Sequence, residues 1–90
     1  MMNAILIDPA DSVATVLTHV EAGEIVEYVS GEETLRVEAG MPIPQYHKIA
    51  VRDMAIGERV IKYGETIGLA TKPIQTGDHV HTQNLSSDGR

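Results

Sequence analysis

Two histidines one residue apart, in His79-Val80-His81, are the most chemically suggestive feature of this chain. On an extended strand, side chains at i and i+2 leave from one face, about 6.5–7 Å apart at the backbone. Two imidazoles so placed can share one metal ion or one anion. Divalent iron, manganese or zinc accept imidazole nitrogen, and a complete site would draw a further ligand from His47, a carboxylate or another chain. The same pair also fits two solvated strand histidines with no ligand. Asn84, a little further on, adds a neutral amide suited to a hydroxyl or a carboxylate.

His47-Lys48 joins a near-neutral acid–base group to a fixed cation, as a carboxylate-binding corner would, although a solvated loop would also accommodate it. Lys48, Arg52, Arg59, Lys62 and Lys72 are the cations from which an anionic ligand could be held. In Lys62-Tyr63-Gly64-Glu65 the lysine and tyrosine fall on opposite faces of a strand, so at most one of them enters a given site. Tyr63 equally suits filling a core. His19, between Thr18 and Val20, reads as structural. The chain has no cysteine, which excludes disulfides, thiolate nucleophiles and Cys-ligated zinc. No Ser/His/Asp set, phosphate-binding glycine loop or paired carboxylates emerge, so the residues alone support a binding module more than a self-sufficient catalyst.

The elements that must position these groups are short strands. Runs of β-branched residues alternate with Gly, Pro and Asp signals, which predicts strands over residues 4–7, 24–29, 34–38, 47–52, 59–63, 66–71 and 79–84. Residues 12–18 are ambiguous, because Ser12 could cap a short helix while Val13, Thr15, Val16 and Thr18 favour a strand; the balance lies with the strand. Asp8-Pro9-Ala10-Asp11 reads as a turn. Gly64, taken as the first central residue of a hairpin loop, suits a type II′ turn.

Val20-Glu21-Ala22-Gly23 is echoed by Val37-Glu38-Ala39-Gly40, and Gly57 follows at the same spacing again. Gly23-Glu24, Gly57-Glu58 and Gly77-Asp78 each place an acid after a glycine and before an alternating strand. Recurrent turn chemistry and true duplication both account for this.

Ninety residues suffice for one domain with a modest core, here expected over residues 1–85 with a frayed tail at 86–90. With three tyrosines and no Phe or Trp, that core must be aliphatic. Thirteen acidic against seven scattered basic residues give a net charge of −6, which disfavours nucleic acid and anionic membranes. No apolar run reaches the roughly 18 residues of a membrane span, and no cationic leader is seen, so a cytoplasmic location is expected.

The ordered strings Pro44-Gln45-Tyr46-His47-Lys48-Ile49-Ala50, Ile56-Gly57-Glu58, Val60-Ile61-Lys62-Tyr63-Gly64-Glu65, Ile67-Gly68-Leu69-Ala70 and His79-Val80-His81-Thr82-Gln83-Asn84-Leu85 resemble the N-terminal SAF-type domain of the altronate/galactarate dehydratase family. The opening Ile7-Asp8-Pro9-Ala10-Asp11-Ser12-Val13 is similar to that family's first turn. The resemblance implies an all-β, SAF-type β-clip. It also implies a part in β-elimination from a sugar acid, in which a 2-proton and a 3-hydroxyl leave to give a 2-keto-3-deoxy acid. A separate large catalytic subunit or domain would carry a divalent metal, iron or manganese, with no cofactor held by this chain alone.

By position, the resemblance assigns His47, His79 and His81 to catalysis and Lys48, Lys62, Tyr63 and Asn84 to substrate binding. Tyr46 stands where the family usually has glycine, and Gln83 where it often has a further histidine. A small subunit that releases sulfite from sulfolactate is similar too, and a non-catalytic carbohydrate-acid-binding or assembly module, itself able to form homo-oligomers, is a further alternative.

Overall fold

Val13-Ala14-Thr15-Val16 has no strongly polar face, as a strand covered on both sides requires. The computed structural model, which describes residues 2–87, places it at the centre. The strands are Ala4–Ile5 (β1), Val13–Val16 (β2), Ile25–Ser30 (β3), Glu33–Glu38 (β4), Lys48–Ala50 (β5), Arg59–Lys62 (β6), Glu65–Ala70 (β7), His79–Val80 (β8) and Leu85–Ser86 (β9). No helix occurs among the described residues, in keeping with an all-β fold. A central antiparallel sheet has the order β1-β2-β5-β8, flanked by the β3-β4 hairpin and a three-stranded sheet β6-β7-β9.

Strand alternation divides the core in two. Ala14 pairs with Ile49, and both face a cluster containing Val26, Tyr28 and Val37 of the first hairpin. Val13 pairs with Ala50, and both face a cluster containing Val60 and Ala70 of the second. The core is aliphatic apart from Tyr28, as composition requires.

Four turns of one form hold this arrangement. Each begins after a bridge residue, Val20, Ile43, Met54 or Ile74, and these pair as Val20↔Ile43 and Met54↔Ile74. In each, the fourth residue's N–H donates to the first residue's carbonyl: Glu24 to Glu21, His47 to Pro44, Glu58 to Ala55 and Asp78 to Gln75. The third residue has positive φ, 89° at Gly23, 67° at Tyr46, 85° at Gly57 and 97° at Gly77, which is the type II pattern. Thus the acid-bearing turns seen in the sequence are structurally equivalent. Gly40, by contrast, lacks positive φ and is no member of the set, so its echo is not structural.

In three of these turns the acid has a definite task. Glu24, Glu58 and Asp78 each accept, through a carboxylate oxygen, the N–H of the turn's first residue, Glu21, Ala55 and Gln75, at 2.8–3.0 Å. In the fourth, the first residue is Pro44, which has no N–H to satisfy. The fourth position is therefore released from that duty, and it carries His47.

Tyr46 replaces the glycine of this turn and still adopts the left-handed conformation, at a cost of about 1–2 kcal/mol for a residue with a Cβ. Tyr46→Gly is expected to raise stability by about 0.5–1 kcal/mol, the strain relief less glycine's extra unfolded-state entropy. A denaturation midpoint unchanged or lowered would count against the strain argument.

The hairpin tip departs from expectation. Lys62 pairs with Glu65, so Tyr63 and Gly64 are the two central residues. Their φ values of 56° and 76° are both positive, which makes the turn type I′ with Gly64 second, not type II′. Ser12 likewise caps no helix: its Oγ accepts the N–H of Ile61, beside a bulge at Val60/Ile61. The expected strand over 79–84 stops at Val80. Leu85–Ser86, not foreseen as a strand, pairs with Leu69 and Ala70; of the expected frayed tail at 86–90, residues 88–90 lie outside those described. Gly68 makes that pairing possible, since a Cβ there would collide with the backbone oxygen of Ser86.

Candidate functional site

The strand period and one register bring the three histidines together. β5 and β8 pair as Lys48↔Val80 and Ile49↔His79, and continuing that register sets His81 opposite His47. His47, Ile49, His79 and His81 then share a face, with His79 diagonal to His47. The ring centroids lie 4.5 Å apart for His47 and His81, 5.1 Å for His47 and His79, and 5.6 Å for His79 and His81, with the rings inclined by 14–28°. His47 Nδ1 and His79 Nε2 are 2.8 Å apart, within hydrogen-bond reach.

Two amides fix the loop after β8. Asn84 Nδ2 donates to the carbonyl of His79 and its Oδ1 accepts the N–H of His81. Asn84 is buried and both ends of its amide are spent on the backbone, so it positions the histidines rather than offering itself to a ligand, as the sequence had suggested. Gln83 Nε2 donates to the same carbonyl and lies 3.2 Å from His79 Nδ1. Because a carbonyl only accepts, the Gln83 nitrogen is the donor, His79 Nδ1 is the acceptor, and the proton of neutral His79 sits on Nε2, directed at His47 Nδ1.

Burial and nearby positive charge favour the neutral form of two of these rings, His47 and His79. Burial, then the charges of His81 and Lys48, lowers the His47 pKa below the ordinary histidine value. Burial, then His47, His81 and Lys48, does the same at His79. Burial and the Lys62 charge lower the pKa of Lys48 as well. By register, Lys48 lies with Thr15 and Val80 on the opposite face of the sheet from the imidazoles, so the expected His47-Lys48 corner is divided by the strand. Lys62 stands 4.8 Å over the Tyr63 ring, and Tyr63 is exposed rather than core-filling.

The other sequence candidates are elsewhere. Arg59 and Lys72 are exposed, and Arg52 Nη2 donates to the carbonyls of Pro9 and Asp11. His19 is exposed and paired with Glu21 at 2.7 Å, away from any cluster. Sequence reasoning missed Asp11, which proves central to placing the hairpin tip. Its carboxylate accepts the N–H groups of Ile7, Asp8 and Gly64 although it is 1% exposed. The signal was present as a second aspartate in the Asp8–Asp11 turn, but its long-range partner was not.

The depressed histidine values set a pH dependence. An imidazole whose folded pKa is lowered binds fewer protons in the folded than in the unfolded chain. Its stabilisation is therefore complete above the unfolded value near 6.5 and is lost as pH falls through the folded value. With a chelator present, the melting temperature is expected to fall between about pH 7 and 5, and His79→Ala should flatten that slope. Superimposable profiles for the two proteins would dismiss the histidines as its origin.

Fold and cluster together define a small β module that presents acid–base groups at its surface and braces them from behind. The chain belongs to the altronate/galactarate dehydratase SAF domain family, whose model matches residues 2–88. It is similar to the (2R)-sulfolactate sulfo-lyase subunit alpha of Chromohalobacter salexigens, with 39% identity over 83 residues covering 89% of this chain and 88% of that relative. It is also similar to the altronate dehydratases of Escherichia coli, at 39% identity over 87 residues, and Bacillus subtilis, at 28% over 88 residues. The chain spans 17% of the length of each of those two enzymes. No helix among the described residues is long and apolar enough to cross a membrane.

Proposed function

We propose that this chain is the small module of a β-eliminating lyase for a hydroxylated carboxylic acid, and that it lends His47, His79 and His81 to a site completed by a larger catalytic chain. The observation that carries this reading is the convergence of three braced imidazoles from two strands onto one face. A dehydration of this kind removes a proton from the carbon beside the carboxylate and loses hydroxide from the next carbon. A neutral imidazole suits either proton transfer, as base at carbon or as acid at the leaving oxygen once charged. The hydrogen bond from His79 Nε2 to His47 Nδ1 gives such a proton a path within the cluster. Lys48 and Lys62 supply positive potential behind it in an otherwise acidic molecule.

A sugar acid of the altronate or galactarate type is the first substrate class. Sulfolactate, with sulfite as the leaving group, is the second, favoured by the near-full coverage of a sulfo-lyase alpha subunit. The test is reconstitution with the larger chain, following formation of 2-keto-3-deoxy acid from altronate or galactarate and of sulfite from sulfolactate. Turnover only when both chains are present supports the proposal and selects the substrate. Equal turnover by the larger chain alone would leave this one as an assembly module.

A further inference from the structure

We propose that His47, His79 and His81 bind one divalent transition-metal ion, as ligands supplied by this chain itself. The inference concerns the site described above and gives its ring nitrogens a different role from the direct proton transfer proposed there, because a nitrogen bound to an ion can neither take nor give a proton.

The donor atoms are close enough. One ring nitrogen from each histidine lies within 4.8 Å of the others, and among the described residues this set contains no carboxylate. Three nitrogens bound at about 2.0–2.1 Å to one ion stand roughly 3.0–3.5 Å apart. The observed separations, from 2.8 Å between His47 and His79 up to 4.8 Å, bracket that spacing, and the rings, stacked at 14–28°, must rotate for their in-plane lone pairs to converge on one ion. Backbone bonds hold the set together: His47 is tied to Val16 and His79 to Ile49 of the same sheet, while the Asn84 amide fixes His79 relative to His81.

The surroundings suit the ligand form. On binding through Nε2, His79 would move its proton to Nδ1, and that nitrogen faces the Gln83 amide at 3.2 Å. A half-turn of that amide presents its oxygen there as an acceptor and gives the supporting hydrogen bond that metal-bound imidazoles ordinarily make, at the cost of the amide's bond to the His79 carbonyl. Three neutral imidazoles select zinc, ferrous iron or cobalt over magnesium and calcium, which require oxygen donors. They also leave the ion's charge uncompensated and coordination positions open, so an anionic oxygen ligand can bind it directly.

The test uses the full, untagged chain stripped with a chelator and titrated with cobalt(II) and zinc(II) by calorimetry and visible absorption. One ion per chain is expected, with a visible cobalt band, no comparable uptake of magnesium, and affinity at least tenfold weaker in His79→Ala and in His81→Ala. His81 lies beyond the end of β8, so its replacement spares the strand; circular dichroism verifies that, and His19→Ala serves as the exposed-histidine control. No binding, uptake of several ions, or affinity unchanged by His81→Ala in a folded protein would overturn the proposal. Metal content is read without turnover, so an active reconstituted lyase with no ion on this chain would defeat only this inference, a bound ion without turnover only the functional one, and an active lyase with the ion bound would support this inference and replace direct proton transfer by these rings.

Discussion

Replacing His79 or His81 by alanine is expected to slow the reconstituted lyase by about 10²–10⁴-fold while leaving the small chain folded and able to join its partner. That range is what a positioned acid or base contributes to a proton-transfer step. The two replacements should be nearly as severe together as singly, because the rings form one hydrogen-bonded and stacked unit rather than independent contacts. Neither side chain supports the sheet: His79 is held in β8 by backbone pairing, and the loop is closed by Asn84 acting on backbone groups. The decisive comparison is turnover against assembly, with partner binding measured on the same samples. A fall below about tenfold with assembly intact would remove these histidines from the chemistry.

Asp11→Ala should damage the fold as severely as deleting a core side chain, at about 3–5 kcal/mol. The buried carboxylate accepts three backbone N–H groups, from Ile7 at 3.3 Å, Asp8 at 3.1 Å and Gly64 at 2.8 Å. A hydrogen bond to a charged acceptor contributes about 1.5–3 kcal/mol, and the three donors, only part-buried, regain some of that from water, so the loss falls short of the simple sum of three bonds. Domains of this size are stable by only about 5–13 kcal/mol, so a substantial part would be lost. Asp11→Asn should also destabilise, because its NH₂ must face at least one backbone N–H where an acceptor is required. Chemical denaturation measures both. A midpoint shift corresponding to under about 1 kcal/mol for Asp11→Ala would show that water or a shifted loop replaces the carboxylate.

Most of the strand order was legible because it is written in local chemistry: β-branched runs bounded by glycine, proline and aspartate mark β3, β4, β6 and β7 closely. Turn geometry was harder. Tyr63 and Tyr46 both adopt positive φ, a conformation the residue type argues against, and only pairing across Lys62↔Glu65 and the equivalence to three glycine turns reveals it. For the site, His79 and His81 were evident as a same-face pair, and the structure supplies the partner: His47, brought alongside by the β5-β8 register. Register between strands so far apart in sequence leaves no local trace. For the same reason the backbone bonds of Asn84 and the long-range partner of Asp11 were not foreseen, since both lie in distant or backbone groups.

The fourth turn, where proline stands first and histidine fourth, has a bearing on how new sites arise on this scaffold. Glu58 holds the fourth place of one turn in the other half, where its carboxylate accepts the N–H of Ala55. Exchanging that pair for proline and histidine would therefore graft a surface imidazole onto the opposite half without leaving an amide unsatisfied. Structure and novelty are decoupled at this slot: one imino acid frees a neighbouring position to vary, and evolution or an engineer can fill it while the turn keeps its shape.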